Sequence, residues 1–286
     1  MRKLSFIFFV FPLVAKVGFA NQGKSLSANS HVDSLWEEYR TVEHDTTKAK
    51  ILIELTDYIH IYNPDTVIPL CQKAIEIADK NLFYANPQQE ISFLHTKASA
   101  LNNIGWIIEQ RGDIEKGLEY YFESLKIFED FFTEISQKKW RENLDTDAFL
   151  NNEKLFKKGL AQCYNNIGVT YMNQGEIEKA LEYYSLSLKI REEIKYKKGM
   201  AESYHNIGFI YTDQGEIEMA LEYFFLSLKI YEEIKDKKGM AGSYNNIGSI
   251  YYNQGEIEKT LEYFFLSLKI REDIKDKSGM AVSYHN

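Results

Sequence analysis

The feature that most limits how this chain can fold is a tandem repeat with a period of 40 residues. The triplet Asn-Ile-Gly recurs at 103–105, 166–168, 206–208 and 246–248. Residues 201–240 and 241–280 are identical at 30 of 40 positions, which indicates tandem duplication. A period of this length is typical of arrays in which each unit packs mainly against its neighbours.

Each unit has the pattern of two helices. With Ala161 as position 1, positions 4, 7, 8 and 11 are apolar or small, which is the spacing of one helical face. Gln-Gly-Glu at 174–176 predicts a tight turn, and a second helix is expected over 178–195. Glycine at position 8 predicts a close approach of the two helix backbones, and Gly199 suits the cap that ends the second helix. The chain is therefore predicted to be all-α.

Residues 1–20 have the pattern of a secretory signal peptide. Arg2 and Lys3 precede an apolar run at 4–15, and Gly-Phe-Ala at 18–20 places small residues where a signal peptidase cuts. The run is shorter than the ~20 residues that span a bilayer, so we favour a cleaved signal over an uncleaved anchor. No cysteine follows the cleavage site, which disfavours a lipoprotein. We expect an exported protein, either periplasmic or secreted.

Charge limits the partners that this chain can hold. Hydrophobic content of 44% and charged content of 27% are ordinary for a soluble folded protein. Without residues 1–20 the chain has 31 basic and 42 acidic residues, a net charge of −11. Nucleic acid and anionic lipid are disfavoured because both require basic surface. Cys71 and Cys163 fall at inward-facing helix positions, so we favour buried free thiols over a disulfide.

The unit resembles the tetratricopeptide repeat family. The family's pattern at positions 4, 7, 8, 11, 20, 24 and 27 is met by Tyr204, Ile207, Gly208, Tyr211, Ala220, Phe224 and Ser227. Tyrosine replaces the usual tryptophan at position 4, serine replaces alanine at position 27, and the closing proline is absent. The 40-residue unit is similar to the repeats of kinesin light chains. This resemblance implies a right-handed superhelical solenoid of antiparallel helix pairs with a concave face that holds peptides.

The repeat sets the predicted domain boundaries. A lead segment at 21–48 is followed by a degenerate unit at 49–97, in which Pro64 lies near the turn between helices. The array occupies 98–286, with units near 98–139, 161–200, 201–240 and 241–280, an insertion near 131–156 and a truncated unit at 281–286. Because solenoids normally end in polar caps, we expect the natural protein to continue beyond Asn286.

Differences between the copies predict a binding surface on the first helix. Positions 2, 5, 9, 12 and 13 differ in both comparisons of adjacent units, and 2, 5, 9 and 12 share one face. Exposed positions also drift after duplication, yet the glutamate at position 22 and the lysine at position 29 do not change. We therefore favour a diversified groove lined by Asn102, Trp106, Glu109, Gln110, Asn165, Val169, Met172, Asn173, His205, Phe209, Thr212, Asp213, Asn245, Ser249, Tyr252 and Asn253. Amides there suit the backbone of an extended peptide, and the aromatic residues suit its side chains.

The sequence has no pattern that predicts catalysis, a metal site or a cofactor. The histidines are scattered, the serines lack a histidine–acid partner, and the Gly-Glu-Ile turns are not phosphate loops. The acidic clusters are interpreted as solvated helix faces. No lysine or arginine lies on the predicted stripe, which disfavours a clamp for a C-terminal carboxylate.

Three functions are compatible with this pattern. The first is a non-catalytic, exported scaffold that binds a protein or peptide segment in its groove. The second is the extracytoplasmic sensor region of a larger membrane-bound signalling protein, such as a histidine kinase, cyclase or transcriptional regulator, with its span and effector beyond Asn286. The third is a structural spacer. We favour the first.

Overall fold

A computed structural model describes residues 26–61, 63–276 and 279, and the regular structure in these residues is helical. The predicted signal peptide at 1–20 and the truncated unit at 281–286 lie outside the described residues. The helices are α1 (Leu26–Thr41), α2 (Asp45–Ile59), α3 (Val67–Leu82), α4 (Pro87–Gln110), α5 (Ile114–Asp130), α6 (Glu134–Asn143), α7 (Thr146–Asn173), α8 (Ile177–Glu193), α9 (Lys197–Asp213), α10 (Ile217–Glu233), α11 (Lys237–Asn253) and α12 (Ile257–Asp273). A 3₁₀ turn at Pro64–Thr66 joins α2 to α3.

Consecutive helices pack as pairs, which confirms the predicted all-α solenoid. The pairs are α2/α3, α4/α5, α7/α8, α9/α10 and α11/α12. The second helices α3, α5, α8 and α10 also pack against the first helix of the next unit. The first helices α2, α4, α7 and α9 contact one another along the array. The first helices are therefore crowded together on the inner, concave side of the solenoid.

The turns between helices use left-handed backbone at two places in each unit. Within a pair, Gly175, Gly215 and Gly255 have φ of 76° or 77°, as expected for a glycine turn. Between units the left-handed residue is a lysine, with φ of 55° to 57° at Lys195, Lys235 and Lys275. The prediction that Gly199 caps the second helix is therefore wrong. Gly199 lies in the first turn of α9, where a Cβ would lie 2.5 Å from the ring of Tyr196 and 2.9 Å from Cδ of Arg191.

In the four pairs from α4/α5 to α11/α12, an aromatic ring and a hydroxyl group of the second helix contact the first helix. A Cβ at Gly168 would lie 2.7 Å from the ring of Tyr184 and 3.3 Å from the carbonyl oxygen of Ala180, so the position-8 glycine makes room for the ring at position 24 and for the backbone of the second helix, as predicted. Serine at position 27 donates to the carbonyl oxygen at position 1, as in Ser187 to Ala161 at 2.7 Å. The same bond recurs from Ser124, Ser227 and Ser267 at 2.7 to 2.8 Å. The serine that departs from the family pattern thus ties the two helices together.

The insertion between the first two clear units forms an aromatic joint. It contains α6 and the first half of α7, which begins at Thr146 and is 28 residues long. Phe156 is fully buried there, stacked on Phe131 at 4.1 Å between ring centroids and edge-on to Phe128 at 5.6 Å. Trp140 of α6 belongs to the same buried cluster. The insertion thus packs onto the end of α5 and continues the core across the break in the repeat.

The two cysteines are buried free thiols, as predicted. Burial raises the pKa of both thiols to about 12, so neither carries a thiolate near neutral pH. Cys163 lies 3.1 Å from the hydroxyl of Ser124 inside the core.

Candidate functional site

Two adjoining cavities open on the concave side. One has a volume of about 440 Å³ and lies between α2, α4 and α7; it is lined by Thr56, Asp57, His60, Val67, Asn102, Asn103, Trp106, Gln162 and Asn166. The other has a volume of about 680 Å³ and extends to α9; it is lined by Asp57, His60, Gln162, Asn165, Lys198, Glu202, His205, Asn206 and Tyr231. Because Asp57, His60 and Gln162 line both, the cavities form one groove along the inner face. We call them the α4 cavity and the α9 cavity.

A ladder of side-chain hydrogen bonds forms the floor of this groove. The asparagine at position 6 of one unit pairs with the residue at position 5 of the preceding unit. Asn166 Nδ2 donates to Asn102 Oδ1 at 3.1 Å, and Asn206 Nδ2 donates to Asn165 Oδ1 at 3.0 Å. Asn246 Nδ2 lies 3.2 Å from His205 Nε2 in the next step. Position 5 therefore links successive units as well as facing the groove.

A buried arginine extends the ladder. The guanidinium of Arg191 donates to Gln162 Oε1 at 3.3 Å, and Gln162 Nε2 donates to Asn166 Oδ1 at 2.8 Å. Arg191 is 1% exposed and also donates to Gly199 O and Ser203 Oγ, while Glu202 lies 3.5 Å from it. Burial lowers the pKa of Arg191, with Glu202 offsetting part of that effect. These bonds hold the amides of the groove in fixed positions.

The predicted groove residues separate into different environments. Asn102 and Trp106 line the α4 cavity, whereas Asn165 and His205 line the α9 cavity. Gln110, Asn173, Asp213, Tyr252 and Asn253 are exposed at the ends of their helices, and Asn245 is nearly buried. Thr212 and Ser249 donate to carbonyl oxygens one turn earlier in their own helices, at 2.9 Å.

Three predicted groove residues pack inside the helix pairs. Glu109 is buried and accepts a hydrogen bond from the hydroxyl of Tyr121 at 2.8 Å. Val169 and Met172 pack against the core around Tyr184, whose hydroxyl lies 3.9 Å from Met172 Sδ. These side chains stabilise the pairing of first and second helices.

Several residues of the groove were missing from the predicted set. Gln162 and Glu202 occupy position 2, which differs between copies, so this signal was available in the sequence. Asn103, Asn166 and Asn206 occupy position 6, which does not change between copies and therefore gave no signal. Asp57 and His60 come from α2, in the degenerate unit where the repeat pattern is weak.

His205 is neutral inside the ladder near physiological pH. Burial lowers its pKa to about 4, and the ring packs against Phe209 and Phe224 at 5.0 and 5.5 Å. Unfolded histidine takes up a proton near pH 6.5, and folded His205 does so only near pH 4. The unfolded chain therefore binds more protons in this interval, and the free energy of unfolding falls as the pH drops through it.

We expect His205→Asn to remove this share of the acid sensitivity, because asparagine occupies position 5 in the neighbouring units. The measurement is urea unfolding at pH 7 and pH 5. The loss of stability between these pH values should be about 2 kcal/mol smaller in the variant. Burial likewise lowers the pKa of His95 to about 4, with Lys50 and Lys158 adding to the effect, so part of the acid sensitivity should remain. An unchanged difference would contradict the assignment.

Comparisons with known proteins match part of the chain to a repeat family. Two family models, each described as tetratricopeptide repeat, match residues 159–233 and 240–274. The chain therefore contains tetratricopeptide repeats over these residues. A comparison with curated protein sequences gives no match.

Solved structures share the fold at low sequence identity. BtubC (BKLC) from P. vanneervenii aligns with a TM-score of 0.59 at 17% identity over 87% of this chain and 90% of that protein. Kinesin light chain TPR-like repeats from Podosopora anserina align with a TM-score of 0.52 at 13% identity, covering 82% of this chain and 100% of theirs. A Rap conjugation gene regulator of the plasmid pLS20, solved with the Phr* peptide, aligns with a TM-score of 0.54 at 14% identity over 94% of this chain and 62% of that protein.

Within the described residues, no helix has both the length and the apolar character needed to cross a bilayer. In the same part of the chain, no three His, Cys, Asp or Glu side chains are grouped so that they could hold a metal ion.

Proposed function

We propose that this chain is a non-catalytic scaffold that binds an extended peptide or protein segment in its concave groove. The observation that carries the proposal is the continuous groove formed by the α4 and α9 cavities. Its floor of fixed amides can bond a peptide backbone, and Trp106 offers an aromatic surface to a side chain. The likeness in fold to a regulator solved with a bound peptide supports the same function.

Rigidity of the floor favours binding without a large ordering cost. The amides are already held by Arg191 and by one another, so they need not lose freedom when a ligand arrives. The groove is also open along its length rather than closed around a small molecule. This shape fits a segment of chain better than a compact ligand.

The repeat supplies matched variants for a test. Trp106, Phe209 and Tyr252 lie on the first helices, and Phe122, Phe225 and Phe265 lie at position 25 of the second helices. Phe209 and Phe225 are 37% and 38% exposed, so truncating either removes similar accessible apolar surface. Peptides are selected from a random display library on the wild-type chain. Their affinities are then measured for the triple alanine variant of each set.

We expect the first-helix triple variant to lose at least about tenfold in affinity and the second-helix triple variant to keep the wild-type value. Equal loss in both variants, or loss in the second-helix variant alone, would exclude the concave groove as the binding surface. A library that yields no binder would favour the spacer.

We further propose that the protein is exported. The support is the charge, length and small-residue pattern of residues 1–20. A fusion of residues 1–25 to a reporter enzyme that is active only outside the cytoplasm should be active in bacteria. The same fusion with Leu4→Arg and Phe8→Arg should be inactive. Equal activity of the two fusions would contradict the proposal.

A further inference from the structure

The α4 cavity contains a carboxylate that has no hydrogen-bond or ion-pair partner among the described residues. Asp57 lies on the groove side of α2 and lines both cavities. Within the described part of the chain it makes no hydrogen bond or ion pair, whereas neighbouring Glu54 pairs with His31 at 3.3 Å. Although the Asp57 side chain reaches solvent, desolvation by the surrounding walls raises its pKa. Glu54 raises it further, and His60 and Lys158 offset part of the increase.

The other charged groups near the groove compensate Asp57 only in part. His60 lines the same cavity and lowers the pKa of Asp57, but it forms no hydrogen bond or ion pair with its carboxylate. Lys158 points its ammonium over the ring of Tyr196, at 4.9 Å from the ring centroid. Glu202 lies 3.5 Å from Arg191, so its charge is already matched. Lys198 lines the α9 cavity but not the α4 cavity. The α4 cavity therefore holds one acidic group and no basic lysine or arginine in its lining.

The remaining lining of the α4 cavity suits a cation. Trp106 is partly exposed there, and an indole ring is the best aromatic partner for a cationic group. Asn103 donates through Nδ2 to Thr56 Oγ1 at 2.8 Å, which leaves its carbonyl oxygen as an acceptor. A carboxylate, an amide oxygen and an indole ring thus line one cavity of about 440 Å³, large enough for a long side chain.

We propose that the α4 cavity binds a cationic side chain, arginine or lysine, of the peptide segment held in the groove, with Asp57 as its counter-ion and Trp106 as its aromatic partner. This inference rests on the proposed function and adds the chemistry of the ligand. The net charge of −11 outside residues 1–20 also favours the approach of a basic segment. Lys198 lines the α9 cavity and repels a cation there. The α4 cavity is therefore the more favourable position for the cationic side chain.

The test uses peptides selected from a random display library on the wild-type chain and on Asp57→Asn. Asparagine has the same shape as aspartate without its charge, so the fold is preserved, and thermal unfolding checks this. Peptides selected on the wild type should contain arginine or lysine at one aligned position. Selection on Asp57→Asn should lose that enrichment.

Affinity measurements then test whether Asp57 interacts directly with the cationic side chain of the peptide or affects binding in general. For a selected peptide with arginine, replacement of the arginine by citrulline, its neutral isostere, should weaken binding to the wild type about tenfold. Asp57→Asn should weaken the arginine peptide by a similar factor, and citrulline should cause little further loss in that variant. Glu54→Gln, on the same helix but paired with His31, is the matched control and should bind as the wild type does. Trp106→Leu should weaken the arginine peptide more than the citrulline peptide.

The outcomes distinguish this inference from the proposed function. If no peptide depends on the groove, both are overturned. If groove-dependent peptides are selected but contain no enriched cation, or if Asp57→Asn binds the arginine peptide as tightly as the wild type, only the cation site is overturned.

Discussion

The substitution Gly239→Ala is expected to lower the free energy of unfolding by about 3 kcal/mol. Gly239 lies in the first turn of α11, and a Cβ there would be 2.3 to 2.5 Å from three atoms of the Tyr231 ring. Tyr231 is buried although it lines the α9 cavity, so relief of this clash requires its ring to leave its packed position. The measurement is the free energy of unfolding from urea titration, followed by circular dichroism.

The same helix supplies the control. A Cβ at Gly242 would meet no atom of another part of the chain within 4 Å, so Gly242→Ala should instead stabilise the helix by about 1 kcal/mol. In a Tyr231→Ala background the cost of Gly239→Ala should largely disappear, because the obstructing ring is gone. Equal effects of the two glycine substitutions would show that helix propensity, not the ring at position 31, governs these sites.

Phe156→Ala is expected to cost about 3 to 5 kcal/mol. Phe156 is fully buried and contacts the rings of Phe128 and Phe131, which belong to the preceding unit. Because stability in a repeat array depends on contacts between neighbours, this loss should also uncouple the units before the insertion from those after it. Urea unfolding should become broader or divide into two transitions.

Leu155 is the neighbouring residue on α7 and is 36% exposed, so Leu155→Ala should cost less than about 1 kcal/mol and leave a single transition. A single sharp transition in Phe156→Ala, with a loss below about 1 kcal/mol, would contradict the role of the aromatic joint.

The helix pairs could be predicted because the same sequence pattern occurs in several units. In the last three units the Gln-Gly-Glu turn marks the boundary between the two helices, and the structure ends α9 and begins α10 on either side of it. The cap at Gly199 was predicted wrongly because glycine often ends helices. In this chain the left-handed residue is Lys195, and Gly199 instead leaves space for the ring of Tyr196 and the side chain of Arg191.

The groove was only partly predictable because differences between copies mark exposed and variable positions. They do not mark Asn166 or Asn206, which are the same in each copy and hold the floor together. The positions marked by these differences include that of Glu109, whose carboxylate faces inward and accepts a hydrogen bond from Tyr121. A helical face is wide enough to contain both groove and core positions, and the packing of the second helix decides between them.

The sequence by itself determined the period, the helix pairs, the inward-facing cysteines and the first helices as the variable surface. These follow from local periodicity, which is repeated along the chain. Only the tertiary structure decided that α2 contributes Asp57 and His60 to the groove, that the insertion forms an aromatic joint, and that an arginine on α8 orders the amides of α7. Those contacts join residues far apart in the chain or lie outside the repeat, so no local pattern encodes them.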